Sequence, residues 1–576
     1  MNAGYGVGAV ALISALTLAL GALGLRMSRR TTSDFLVASR SVSPLANASA
    51  IGGEYLSAAS FLGVAGLILA YGVDMLWYPV GYAAGYLLLL VLIAAPLRRS
   101  GAYTIPDFAQ ERLQGKRISR VASAFVVLIG WLYAVPQLQG AGLTIRTVTG
   151  APRWVGAVLV AALVTGAVAA GGMRSITVVQ AFQYWVKLTA ISVPVLFLVI
   201  AWRADGAPPA NRAVPPHFVR HTVTQVRSDA RIDVPVTVTV TAVGSVDGQH
   251  VEGERILAAG AHTVGGGTRL TFAAGAPAPH LHTLRVTDNA VWASPLHGVR
   301  EHPLYAVWSL IIATFLGTMG LPHVLVRFYT NPDGQQARRT TLLVLVLLGA
   351  FYLMPTIYGA LGRLYAPDLL LTGNTDTVVL ILPGRLVPGV VGQLLGALVT
   401  AGAFAAFLST TSGLVVSVAG VLVTDVLRGP VRPLRRATLV AGAVPLGLTL
   451  AVFLRGDGLP VGEVVGLAFA VAASSFCPLL VLGIWWRGLT EVGALAGIGV
   501  GGGLAAAAVL ATVAGWQPGG WPAALLAQPA AWTVPVAFLV MVGVSLATPG
   551  HKPPDVGRFM TRLHAPEQLR LRVGRR

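Results

Sequence analysis

Thirteen apolar stretches run through this chain of 576 residues, and each is long enough, at about 20 residues, for an α-helix to cross the hydrocarbon core of a bilayer. They lie near 5–25, 42–71, 74–97, 118–145, 153–170, 176–202, 304–326, 340–362, 387–424, 437–454, 461–485, 491–514 and 531–548. In hydrocarbon a chain must satisfy its own backbone N–H and C=O groups, which helices do and irregular segments do not. With 55% hydrophobic and only 11% charged residues, the composition lies outside the soluble range. The expected fold class is an all-α polytopic membrane protein. The runs 42–71 and 387–424 exceed one straight crossing, as tilted or interrupted helices do.

The formal net charge of +19 does not point to nucleic acid, because the basic residues sit in short loops between spans and form no single patch. Counted in alternate loops, 26 Lys and Arg fall on one side, including Arg98, Arg99, Arg112, Arg327, Arg338 and Arg339. Five fall in the short loops of the other: Arg146, Arg153, Arg363, Arg385 and Arg455. The positive-inside rule therefore predicts an external N-terminus and a cytoplasmic C-terminus in the cell membrane. The first span has no basic residue before it and Arg26, Arg29 and Arg30 after it, the reverse of a cleavable signal, so it reads as a retained helix. Cys477 is the only cysteine, which rules out a disulfide framework.

Residues 203–303 form the one long non-membrane block, with nine Arg, eight Asp plus Glu and eight of the eleven His. Val234–Thr241 alternates apolar residues with Thr, a half-buried strand pattern. Arg269–Phe272 and Leu281–Val286 are further strand candidates, with turns at Val246–Gln249 and Gly265–Gly267. A small extracellular β-rich insertion is predicted. It would serve as a solute filter, a docking surface or a His-based sensor, or be a decorative loop; the histidines have no tight ligand spacing beyond His280-x-His282.

Two spans carry small and hydroxyl residues where a lipid-facing helix would be plain Leu, Val and Ile. In the second, Ser49, Gly52, Gly53, Glu54, Tyr55 and Ser57 interrupt an apolar run; in the ninth, Ser409, Thr410, Thr411, Ser412 and Gly413 do so. A Gly pair lets a helix unwind, and unwound carbonyls with adjacent hydroxyls are hard oxygen ligands suited to a small cation. Serine and threonine bonding back to the preceding turn, with glycine easing helix packing, accounts for the same residues without a ligand.

Several stretches in order resemble the sodium:solute symporter family, and within it the cation/acetate symporters. They are Thr32–Arg40, Gly52–Gly63, Thr104–Phe108, Gly171–Thr177 and Leu321–Thr330, in a resemblance reaching from about Thr32 to Trp486. It implies a leucine-transporter-like core of two inverted five-helix repeats: 31–202 with helices two to six, and 304–486 with helices seven to eleven. Around them stand an extra helix in 1–30, the insertion 203–303, two helices in 487–548 and a basic cytoplasmic tail, 549–576. The family's sodium site, carried over, uses the carbonyls of Ala48, Ile51 and Ala406 and the hydroxyls of Ser409 and Thr410. The first helix of each repeat is expected to break near the midplane, the second at Phe315–Pro322, with a substrate carboxylate between the breaks near Gly53, Tyr55, Ser57, Gly317 and Thr318. Some relatives have an aspartate where this chain has Tyr55 and a carboxylate where it has Thr177. Glu54 is then the only acid in the middle of that span. Pairing with Lys187, the only base deep inside a span, and snorkelling of each to an interface are its two readings.

The resemblance implies import of a small monocarboxylate, of the acetate, propionate or pyruvate type, by symport with sodium through alternating access, with a proton-coupled carrier of the same fold as the rival. No cofactor besides the coupling ion is implied, no nucleic acid and no obligate protein partner; the lipid bilayer is the surroundings. A transporter-like sensor is disfavoured because the residues after about 547 are too few for an output domain. A pump lacks a phosphate loop, and no nucleophile arrangement points to an enzyme.

Overall fold

The computed structural model describes residues 3–27, 41–210, 214–284, 288–296, 302–423, 432–455, 460–516 and 518–565; the Thr32–Arg40 stretch lies outside them. After α1 (Ala3–Met27) comes the second apolar run, which is broken. Its first part, α2 (Pro44–Tyr55), opens on a proline, whose missing N–H costs nothing at a helix start. Leu56 and Ser57 are non-helical, and the chain resumes through a wide turn at Ala59–Gly63 into α3 (Val64–Tyr71). The Gly52–Gly53 pair, the expected place of unwinding, stays helical, and the break falls three residues later. A Cβ on Gly53 would overlap the Gln180 carbonyl, so this glycine serves close helix packing.

The run continues through α4 (Trp77–Leu88), α5 (Lys116–Thr149) and α6 (Arg153–Ala204). The loop expected around Arg174 is helical; no proline stops the helix there, and an interior glycine costs only about 1 kcal/mol. Its two apolar windows, Arg153–Ala170 and Ser175–Ala204, are each long enough for one crossing. Then follow α7 (Pro303–Thr318), α8 (Pro322–Val326), α9 (Gly334–Tyr365), α10 (Gly389–Val421), α11 (Arg432–Arg455), α12 (Val461–Trp485), α13 (Glu491–Gly497) and α14 (Ala530–Ala547). Between α7 and α8, Met319 and Gly320 turn and Leu321 is extended, so the second break falls where the glycines and Pro322 predicted it. Twelve helices among the described residues are long and apolar enough to cross a membrane. The sequence suggested thirteen; neither half of the broken second run qualifies alone, and its latter half runs on as Ala59–Ser100.

Two arginines assigned to cytoplasmic loops are buried. Arg112 donates to the Gly483 and Trp486 carbonyls at 2.8 and 2.9 Å, closing the end of α12, and Arg327 pairs with Glu54. In the basic tail, α15 (Val556–His564) buries Met560 and Leu563 and sets His564 against Trp485.

The insertion holds an antiparallel seven-stranded sheet: β1 (Thr222–Gln225), β2 (Ala230–Val234), β3 (Val238–Val246), β4 (Gln249–Leu257), β5 (Gly260–Val264), β6 (Arg269–Phe272) and β7 (His280–Leu281), in the order β1-β6-β3-β5-β2-β7 with β4 on β3. The alternating run Val234–Thr241 is not one strand: it bends at Pro235–Val236, where proline cannot donate to a ladder. Arg269–Phe272 is β6 as expected, and Asp247–Gly248, both at positive φ, form the two-residue turn of the β3–β4 hairpin. The Leu281–Val286 candidate gives only the end of β7 and a 3-10 turn at His282–Leu284, and its last two residues lie outside the described ones. Leu371, from the short helix Asp368–Thr372 after α9, joins the sheet's apolar core. The Trp292 indole donates to the Ile68 carbonyl at 2.7 Å. The insertion is thereby fastened to the last turn of α3 and to the short helix that follows α9.

Candidate cation and substrate site

The two breaks meet. The Tyr55 hydroxyl, at the end of α2, lies 2.9 Å from Thr318 Oγ1 at the end of α7, and also donates to the Tyr82 carbonyl at 3.2 Å. The loosened backbone at the first break is held from α5, where Gln137 Oε1 accepts from the Ala58 N–H at 2.8 Å. Ser57, in the break, faces the Tyr133 phenol. Around this junction stand Tyr82 and Tyr86 from α4 and Phe469 from α12, with rings 4.8 to 6.2 Å from those of Tyr55 or one another. His323, one residue into α8, packs on Tyr133 at 5.1 Å. The hydroxyls of Tyr82 and Tyr86 and both ring nitrogens of His323 are buried with no hydrogen-bond partner among the described residues. Buried polar groups left so are uncommon and ask for a ligand or water.

Of the residues named for the substrate, the structure brings Tyr55, Ser57 and Thr318 to this junction. Gly53 and Gly317 are there for contact: a Cβ on Gly317 would overlap the Phe469 carbonyl. Sequence reading missed Tyr82, Tyr86, Tyr133 and His323. Tyr82 and Tyr86, four residues apart on one helix face, were the available signal.

Beside the junction lies a charged network. Glu54 Oε2 accepts from Arg327 Nε at 2.7 Å, both side chains being 1% exposed. Arg327 spends its other donors on Thr177 Oγ1 at 2.7 Å and on Gln180 Oε1, and Gln180 Nε2 donates to the Ser409 carbonyl at 2.7 Å. Glu54 therefore pairs with Arg327 and not with Lys187, and neither acid nor base snorkels. A buried carboxylate demands a fixed partner; Arg327, just past the end of α8, is brought to it by the fold. Thr177 thus serves as an acceptor for arginine.

Of the residues named for sodium, Thr410 Oγ1 donates to the Glu54 carbonyl at 2.6 Å and Ser409 Oγ to the Ala406 carbonyl at 3.1 Å, so α10 touches α2 at Glu54. Ala48 and Ile51 are fully buried in α2. Lys187 of α6 reaches into the same place: its ammonium donates to the Gly53 carbonyl, to the Leu56 carbonyl at 2.8 Å and to Ser409 Oγ at 2.9 Å. No group of three or more metal-binding His, Cys, Asp or Glu occurs among the described residues.

The sequence matches the model of the sodium:solute symporter family over residues 35–250 and 256–501. It is 29% identical to the uncharacterized symporter YwcA of Bacillus subtilis over 88% of both chains. It is 28% identical to a monocarboxylic acid transporter of Corynebacterium glutamicum, over 83% of this chain and 78% of that one. In fold it is similar to a Na+-coupled sialic acid symporter in a substrate-bound outward-open state, with a TM-score of 0.61, 13% identity and coverage of 95% and 98% of the two chains. It is also similar to Mhp1, a nucleobase-cation symporter, with a TM-score of 0.52, 15% identity and coverage of 92% and 99%. The fold is the leucine-transporter-like fold.

Proposed function

The chain belongs to the sodium:solute symporter family, and from that premise we propose that it imports a small monocarboxylate of the acetate, propionate or pyruvate type together with sodium, by alternating access. The observation that carries this reading is the buried junction of the two breaks, with Tyr55 against Thr318 and, around it, the Tyr82 and Tyr86 hydroxyls and the His323 ring nitrogens, which have no hydrogen-bond partner among the described residues. Phenol O–H groups donate short, strong hydrogen bonds to carboxylates, and the aromatic faces of Tyr55 and Phe469 suit a short apolar tail. Glu54, Arg327 and Lys187 leave one positive charge over in formal count, a field that favours an anion. The relative named a monocarboxylic acid transporter supports the same substrate class.

Sodium would lie between α2 and α10, on the carbonyls of Ala48, Ile51 and Ala406 and the hydroxyls of Ser409 and Thr410, binding first and preparing the anion site. The excess of Lys and Arg on one side supports a cytoplasmic C-terminus, which puts the insertion outside the cell. Radiolabelled pyruvate uptake into proteoliposomes, with sodium and pH gradients imposed separately, tests the proposal. Sodium should drive uptake, and Ser409→Ala and Thr410→Ala should each raise the half-saturating sodium concentration. Tyr86→Phe should raise that for pyruvate. Unchanged sodium dependence in both hydroxyl variants would remove the cage assignment.

A further inference from the structure

Only three lysines occur among the 41 basic residues of the chain: Lys116, Lys187 and Lys552. Lys187 alone is fully buried, in a membrane-spanning helix. A planar guanidinium presents a rigid fork, whereas an ammonium is a compact point charge with three donors, and Lys187 meets three acceptors: the Gly53 and Leu56 carbonyls and Ser409 Oγ. Its hydrogen-bonding capacity is filled by oxygens alone, which is how an alkali cation is held. The Leu56 carbonyl belongs to the break itself. Ser409 directs its own proton to the Ala406 carbonyl, so its lone pairs face the ammonium, and they are the lone pairs that a sodium ion would take.

No hydrogen bond joins Lys187 to Glu54: its ammonium donates to the Gly53 and Leu56 carbonyls and to Ser409, while Glu54 Oε2 accepts from Arg327 and Glu54 Oε1 has no hydrogen-bond partner among the described residues. Two unit charges about 4 Å apart repel by about 4 kcal/mol at an effective dielectric of 20, so the ammonium and a free sodium ion would not share Ser409. Resting on the symport reading, we propose that Lys187 is a tethered rival of the coupling cation. Its ammonium fills the cage between α2 and α10 in the absence of the ion, and sodium enters by displacing it. The lysine then stands in for the departed cation after release, keeping α6, the first break and α10 joined while the carrier returns.

The test is sodium titration of the thermal unfolding midpoint of the purified full chain, with choline chloride holding ionic strength constant, so that no substrate is needed. Lys187→Met removes the rival charge, and its half-saturating sodium concentration should fall at least tenfold below that of the unaltered protein. Lys187→Gln, which keeps a donor for the Leu56 carbonyl, should behave likewise if the Met variant does not fold. An unchanged or higher sodium requirement in the neutral variants overturns the proposal, because Lys187 is then a support of the cage. So does the absence of any sodium response in all three proteins. Failure of pyruvate uptake with the sodium titrations intact would count against the substrate reading alone.

Discussion

At the scale of single residues, the pair Glu54–Arg327 shows how burial turns one interaction into a requirement. Removing one partner of a buried ion pair leaves an uncompensated charge and costs about 3–5 kcal/mol, whereas replacing both by apolar residues is often neutral. Glu54→Leu and Arg327→Met are each expected to lose stability on that scale, and the double variant to regain most of it; additive losses in denaturant unfolding would show that the pair is not coupled. In the insertion, His262 bonds acceptors through both ring nitrogens, Asp247 Oδ2 at 2.8 Å and the Ala258 carbonyl at 2.9 Å, an arrangement complete only for the imidazolium. The hydrogen bond to Asp247 lifts the His262 pKa above its ordinary 6.5. Burial would raise Asp247, but its bonds from His262 and Thr263 outweigh that and hold it below its ordinary 3.8. The His262 contribution is thus complete below pH 6.5 and lost as pH rises through the raised value; that of Asp247 is lost only as pH falls through its lowered one. The pair is partly exposed, so solvent screening keeps its contribution below about 1 kcal/mol. Amide exchange at Thr263, corrected for intrinsic rate, should show more protection at pH 5.5 than at pH 8.5, and His262→Gln should abolish the difference.

At the scale of elements, the two broken helices were legible in unequal degree. Pro322 cannot donate a helical hydrogen bond and Gly317 and Gly320 loosen the preceding turn, so the second break is written locally. The first is not: Gly52 and Gly53 are the weakest helix formers in the run, yet they remain helical because the close approach of α6 needs them without side chains. The chain opens instead at Leu56–Ser57, where Gln137 and Lys187 supply what the helix would have supplied, a partner for the Ala58 N–H and for the Leu56 carbonyl. Gln137→Leu should leave that buried N–H unsatisfied and cost about 1–3 kcal/mol, read as a lower thermal midpoint and faster amide exchange around residue 58. A variant as stable as the parent would place the support of this break elsewhere. The insertion divides in the same way: the Asp247–Gly248 turn follows from two residues at positive φ, whereas the ends of β2 and β7 depend on which strands pair.

At the scale of the whole molecule, if the proposed symport uses a single cation site, one sodium carried with one carboxylate would cross as a neutral pair. The membrane potential, worth about 2.3 kcal/mol per charge per 100 mV, would then add nothing, and the sodium gradient alone would supply about 1.4 kcal/mol per tenfold ratio. Pyruvate uptake at a fixed sodium gradient is expected to be indifferent to imposed potentials; voltage-sensitive uptake would require a second cation. Membership of the class, most of the membrane spans, the existence of the insertion and the two helices that carry the candidate site were legible in the sequence, because apolar run length and clustered small or hydroxyl residues are local quantities. The partnership of Glu54 with Arg327, 273 residues apart, the phenols gathered around Tyr55 and the place of Lys187 were decided by tertiary structure alone. Which charges and donors meet depends on how α2, α4, α6, α8 and α10 cross in space, and no spacing along the chain encodes a contact between helices so far apart.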